Sequence, residues 1–224
     1  REDRVAYYTD IAEKMKNAIQ KGIFEGGLMP KKYMGAYVLA FAFDLVPENL
    51  KEAYQEKIVE LIQKNGNCLD TGFLATPYIL DVLCNLGEKD LAYKLLWQNK
   101  MPSWLYEVDH GATSIWEAWD ADDAQKTGRF ISYDHYAFGC VDDWICRHVA
   151  GIDSDTPGFT HIVIYPDMEG SITSCERTFE SEAGTILVSW DMDRLHVEIP
   201  CNATATVHWK GNVSEVGSGA YEFY

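Results

Sequence analysis

The 224-residue sequence carries a formal net charge of −16, and hydrophobic residues make up 47% of it. That length and apolar share are enough for one large or two modest folded domains, while so acidic a surface repels phosphate backbones and excludes a nucleic-acid partner. No apolar run approaches the ~20 residues that span a bilayer, so no membrane partner is expected.

The chain opens with Arg1, Glu2 and Asp3 and falls at once into a helical pattern, as expected of a piece that begins inside a helix of a longer protein. Val5, Tyr8, Ile11, Ala12, Met15, Ala18 and Ile19 recur at helical spacing, which predicts an amphipathic helix with one buried stripe. Residues 33–46 are apolar nearly all round and predict a helix buried on most sides. Residues 50–64 return to one stripe through Tyr54, Ile58, Leu61 and Ile62. Thr76 before Pro77 reads as a helix cap with proline at the first helical position, opening a mostly apolar helix over 73–86. Residues 88–98 are one-sided again, and 133–150 are rich in aromatic and branched side chains. One-sided helices thus alternate with all-round apolar ones, the pattern of two concentric helical layers. The six predicted helices are about half of a double-layered (α/α)6 barrel.

After Gly151 the period becomes two. Ile186, Val188 and Trp190 alternate with polar residues, as do Leu195, Val197 and Ile199, then Ala203, Ala205 and Val207. These are half-buried strands between Gly, Asp and Asn turns, with 151–158 as the linker before them. The fold class read from the sequence is therefore mixed and mainly α: a partial (α/α)6 toroid over 1–152, followed by a small antiparallel β-sandwich over 153–224.

Chemistry concentrates in residues 109–120. Glu117 is bracketed by Trp116 and Trp119, and apolar flanks desolvate a carboxyl and raise its pKa, which suits a general base near neutral pH. The indoles offer faces for a pyranose ring. A structural carboxylate between aromatic residues is the plainer alternative. His135, at a helix start, is expected at the barrel mouth, or else as a hydrogen-bonded core histidine. Glu107, Asp109 and Asp120 neighbour Glu117 in sequence and are not expected to reach the opposite face of a bound sugar. Cys68, Cys84, Cys140, Cys146, Cys175 and Cys201 form no CxxC pair and stand beside no histidine cluster, so they read as buried free thiols, and no metal or cofactor is expected.

Six stretches carry a more specific signal: 71–78 (TGFLATPY), 102–106 (PSWLY), 110–119 (HGATSIWEAW), 135–139 (HYAFG), 149–152 (VAGI) and 197–207 (VEIPCNATATV). In this order they resemble the glycoside hydrolase family 78 α-L-rhamnosidases, across both parts of the chain. The resemblance implies an (α/α)6 catalytic barrel with a C-terminal β-sandwich, inversion at the anomeric carbon, and a rhamnose-containing carbohydrate as substrate. It assigns the general base to Glu117 and places His135 near the bound sugar, with Trp116 and Trp119 as substrate-binding residues. The family's general acid belongs to an earlier carboxylate-rich segment with no match in these 224 residues, so the chain by itself is expected to be inactive. Half a barrel leaves one flank of the inner helices open, so the chain is expected to self-associate, rearrange or stay bound to the missing half. Two positions depart from the family pattern: Asp134 stands where Asn is common, and Ala118 where Arg is common. The alternatives are another glycosidase or lyase on the same barrel, and a non-catalytic carbohydrate-binding remnant.

Overall fold

Helix α1 (Glu2–Ile19) runs on into a π-helical turn at Gln20–Phe24, where Phe24 is its first buried side chain. The computed structural model describes residues 2–29, 33–168 and 171–224, and the chain divides into two compact units, Arg1–Phe138 and Gly139–Tyr224. The stripe expected to be buried on α1 is largely exposed: Val5 is 67%, Tyr8 55% and Met15 59% accessible. Periodicity reports that a face is apolar, not that a partner covers it.

The remaining helices of the first unit follow the expected alternation. Helix α2 (Met34–Ala42) is buried through Met34, Tyr37, Val38 and Ala40, and α4 (Thr76–Asn85) through Ile79, Leu80, Val82 and Leu83. Helices α3 (Lys51–Lys64) and α5 (Lys89–Leu96) each bury one stripe. Helix α2 packs on α3 and α4, and α4 on α5. Gly35 makes the close approach of α2 possible, because a Cβ there would stand 3.2 Å from the Ala75 Cβ. Tyr54 ties the core together: its hydroxyl donates to Gly27 O and accepts from Met29 N, both at 3.1 Å, and its ring meets Tyr37 at 5.0 Å.

Two short helices escaped the sequence reading, α6 (Trp104–Asp109) and α7 (Ala121–Thr127). The cap expected at Thr76 is absent. Ala75 is the N-cap, and the Thr76 hydroxyl meets that of Thr71 at 2.8 Å. The helix expected over 133–150 starts later, as a 3-10 turn at Tyr136–Gly139, α8 (Cys140–Trp144) and a π-helical turn at Ile145–Val149. Not all thiols are buried either, since Cys201 is exposed.

In the second unit the strands form two four-stranded sheets. One has the order β1 (Ile152–Ser154), β2 (His161–Ile164), β6 (Thr204–Trp209), β7 (Asn212–Val216); the other has β3 (Ser174–Ser181), β4 (Gly184–Asp191), β5 (Leu195–Ile199), β8 (Gly219–Phe223). Every pairing is antiparallel except that of β2 with β6, which run parallel in the register Ile162 with Ala205 and Ile164 with Val207. Ile162, Ile164, Ala205 and Val207 on the first sheet are buried, as are Ile186, Val188, Leu195 and Val197 on the second. The stretch read as a linker contributes strand β1. Gly151 before it has φ +79°, and a Cβ there would stand 2.2 Å from Pro166 N. Residues 139–149 pack with these strands: Arg177 of β3 makes two 2.8 Å hydrogen bonds to the Asp142 carboxylate, and Trp190 Nε1 donates to Val149 O. That is why the compact units divide earlier than the domain boundary expected at 152/153.

Candidate active site

The site is built on α6 and on two irregular segments that follow it. Ser103 caps α6, its Oγ accepting from Tyr106 N at 3.2 Å, and Trp104 anchors the helix by donating its indole N–H to Phe138 O at 2.9 Å. One turn further on, Glu107 points inward and is only 1% accessible. Its Oε2 accepts from Trp116 N at 3.1 Å, while Oε1 is buried without a hydrogen-bond partner among the described residues. Burial pushes this carboxyl up to about 7, against the smaller opposing effect of the Trp116 N–H.

Residues 115–117 then run beside 132–135. Glu117 N donates to Ser132 O at 3.0 Å, and His135 N to Ile115 O at 2.8 Å. The Glu117 carboxylate closes the same pair, its Oε2 accepting from Ser132 N at 2.7 Å. Ser114 Oγ donates to Tyr133 O at 2.7 Å, a further tie between the two segments. Glu117 and His135, 18 positions apart in sequence, are thereby held on adjacent segments.

The His135 ring stacks on Phe73 (centroids 4.6 Å apart, 12° between planes) and on Tyr136 (5.2 Å, 12°). Its Nδ1 accepts from Ala137 N at 3.2 Å, so in the neutral ring the proton belongs on Nε2. Trp119 stacks on Phe138 at 3.9 Å, meets Trp104 edge-on at 5.6 Å and donates its indole N–H to Thr71 O at 3.2 Å. Trp116 is different, because it is buried (5% accessible) with its ring against Tyr133.

The two tryptophans border different clefts. Trp119 lines one of about 320 Å³ with Thr71, Gly72, Pro102, Ala118 and Phe138. Trp116 lines one of about 330 Å³ with His110, Ser114, Asp122 and Tyr133. Neither Glu117 nor His135 borders these two. Ala118 offers no guanidinium to Glu117, which takes a backbone N–H instead, and Arg129 pairs with Asp120. Among the described residues no cluster of His, Cys, Asp and Glu could hold a metal ion, and no helix is long and apolar enough to cross a membrane.

Residues 1–149 match the bacterial alpha-L-rhamnosidase 6 hairpin glycosidase domain, and residues 151–221 the bacterial alpha-L-rhamnosidase C-terminal domain. The chain belongs to the bacterial α-L-rhamnosidase family. It is 35% identical to an α-L-rhamnosidase of Streptomyces avermitilis over 97% of its own length and 24% of that protein. A Formosa agariphila α-L-rhamnosidase is 32% identical over 96% of this chain, again 24% of the relative. The chain thus spans about a quarter of the curated relatives it matches. Among solved structures, the S. avermitilis α-L-rhamnosidase complexed with L-rhamnose superposes with a TM-score of 0.86 at 34% identity, covering 97% of this chain and 24% of that one. The native Aspergillus terreus enzyme gives 0.87 at 29% identity, covering 99% and 27%.

The segments 110–119 and 135–139, which carried much of the resemblance to α-L-rhamnosidases, are the ones that the backbone hydrogen bonds bring side by side. Sequence reasoning missed Glu107 and Phe73. Phe73 lay in a quoted segment, but only the fold reveals that its ring covers His135. Glu107 is the one carboxylate in the otherwise uncharged run Trp104–Val108, and that isolation was the available signal of a buried acid.

Proposed function

We propose that this chain is the C-terminal catalytic part of an inverting α-L-rhamnosidase that removes terminal α-L-rhamnose from glycosides or polysaccharides. Glu117 is the general base, His135 and Trp119 bind the sugar, and Trp116 serves substrate binding through the cleft it shapes. The carrying observation is the state of the Glu117 carboxylate. Ser132 N holds Oε2 at 2.7 Å, the side chain is only half-buried, and Oε1 is left to take a proton from water. The water oxygen then attacks the anomeric carbon as the bond to the leaving oxygen breaks. A carboxylic acid on the opposite face, roughly 6.5–9.5 Å from the base, protonates that oxygen, and the configuration inverts. In this reading the acid comes from a part of the whole protein outside these residues. His135 offers an Nε2–H donor to a sugar hydroxyl. The face of Trp119 serves as an apolar wall, and Trp116, being buried, contributes mainly by shaping its own cleft.

The same reading divides the protein into a barrel part over 1–152 and a sandwich over 153–224, supported by the junction of the two family domains between 149 and 151. It also includes self-association of the isolated chain through the apolar face of α1, supported by the exposure of Val5, Tyr8 and Met15.

The test is hydrolysis of a panel of aryl glycosides by a protein of the relatives' full length that contains this chain. Early NMR spectra of the product should show the inverted rhamnose anomer first. Retention, or turnover of other glycosides in preference to the rhamnoside, would overturn the reading.

A further inference from the structure

We infer that Glu107 is a positioning residue for Glu117, fixing the backbone of Trp116 so that the next residue stands where the general base must be. The inference rests on the role proposed for Glu117. Glu107 leaves α6 from a base that is itself fixed by the Ser103 cap and the Trp104 indole bond. Its Oε2 grips Trp116 N at 3.1 Å, and the next residue is gripped from the other side by Ser132, through Glu117 N–H and Glu117 Oε2. Two successive peptide units, those carrying Trp116 N and Glu117 N, are therefore held between a helix and a second segment, and Glu117 is the residue they deliver. The main-chain carbonyl of Glu107 adds to this, accepting from His110 N at 3.2 Å and Ala112 N at 3.0 Å, which turns the chain back toward 115–117.

The acid at this position carries an energetic cost of its own. Glu107 is 1% accessible and one carboxyl oxygen has no partner among the described residues. A buried polar atom without a hydrogen bond is unfavourable, and an apolar side chain of similar volume would fill the space without that penalty. What an apolar side chain lacks is an acceptor for Trp116 N–H. The geometry keeps the unfavourable group where its one bond orients the adjacent Glu117. Burial also raises its pKa, as expected of a carboxyl held there despite desolvation.

Three variants separate positioning from filling. Glu107→Leu fills the space without an acceptor. Glu107→Asp keeps an acid but withdraws the acceptor by one methylene. Glu107→Gln keeps the acceptor without charge. In the 15N-labelled chain, hydrogen exchange at the Ser132 amide should accelerate by about tenfold or more in the Leu and Asp variants and stay near wild type in Gln. In the full-length enzyme, kcat should fall by about 10- to 100-fold for Leu and Asp with KM little changed, because a misplacement of about 1 Å suffices for such a loss. Gln should restore it. Wild-type Ser132 protection and wild-type kcat in both Leu and Asp would overturn the inference, as would a Gln variant as impaired as Leu. If the wild-type enzyme hydrolyses no rhamnoside, the proposed function falls, and the Ser132 exchange pattern still decides whether Glu107 sets the position of Glu117.

Discussion

The end of α6 and the loop after it each carry a glutamate that accepts one backbone N–H, and the two have opposite fates. Glu107 sits on a capped helix, buried, and takes Trp116 N. Glu117 lies on an irregular segment, half-buried, and takes Ser132 N. Near-complete burial belongs to Glu107 rather than to Glu117, whose flanking Trp116 turns into the interior and Trp119 toward Phe138. On the proposed reading, the acid on the regular element holds the chain and the one on the irregular segment keeps a carboxylate oxygen for chemistry. Adjacency to aromatic residues in sequence does not decide which acid is enclosed; the direction of each side chain does.

Four measurements would break or sharpen this comparison. The largest expected effect is complete loss. Purified residues 1–224 should not hydrolyse an aryl α-L-rhamnoside and should run in solution above the monomer mass, because in the proposed reading the acid comes from outside these residues and the α1 apolar side chains Val5, Tyr8 and Met15 are exposed. Turnover by a monomer would show that the opposing acid lies within these residues.

Next is Glu117→Gln in the full-length enzyme, expected to lower kcat by about 10²–10⁴ with an unchanged melting temperature. Near-normal turnover would move the base elsewhere, with Glu107 the first place to look.

The third concerns pH. Glu107 is pushed from an ordinary 4.5 to about 7 in the folded chain. Its folded pKa lies above the unfolded one, so between these values the native state holds a proton that the unfolded chain has released. Its contribution is most favourable below pH 4.5 and is lost as pH rises through about 7. The difference in unfolding free energy between wild type and Glu107→Gln should therefore change by about 3 kcal/mol across that window, in the direction that disfavours wild type at high pH. Urea titrations of both proteins at three pH values give this slope directly. A flat difference would mean that Glu107 is solvated.

Smallest is Trp119→Phe, which removes the indole bond to Thr71 O but keeps an aromatic ring against Phe138. It should lower unfolding free energy by about 0.5–1.5 kcal/mol. A much larger loss would make Trp119 a core residue rather than a cleft wall.

The sequence by itself determined where regular structure repeats. The period of 3.6 located helices α2 to α5, and the period of two located strands β4, β5 and β6, because those elements bury one face or all faces against their own domain. The ordered segments also marked the neighbourhood of Glu117 and His135. Only the tertiary structure decided the rest. Helix α6 is six residues long, too short to display a period. Strand β1 hides in a glycine- and proline-bounded stretch because its three residues are too few to show an alternation. The apolar stripe of α1 stays exposed because burial needs a partner surface, which no local pattern encodes. The contrast in burial between Glu107 and Glu117 is of the same kind. Desolvation and hydrogen bonding act through space, and the groups that impose them on each acid, Trp116 N and Ser132 N, are brought to it by the fold.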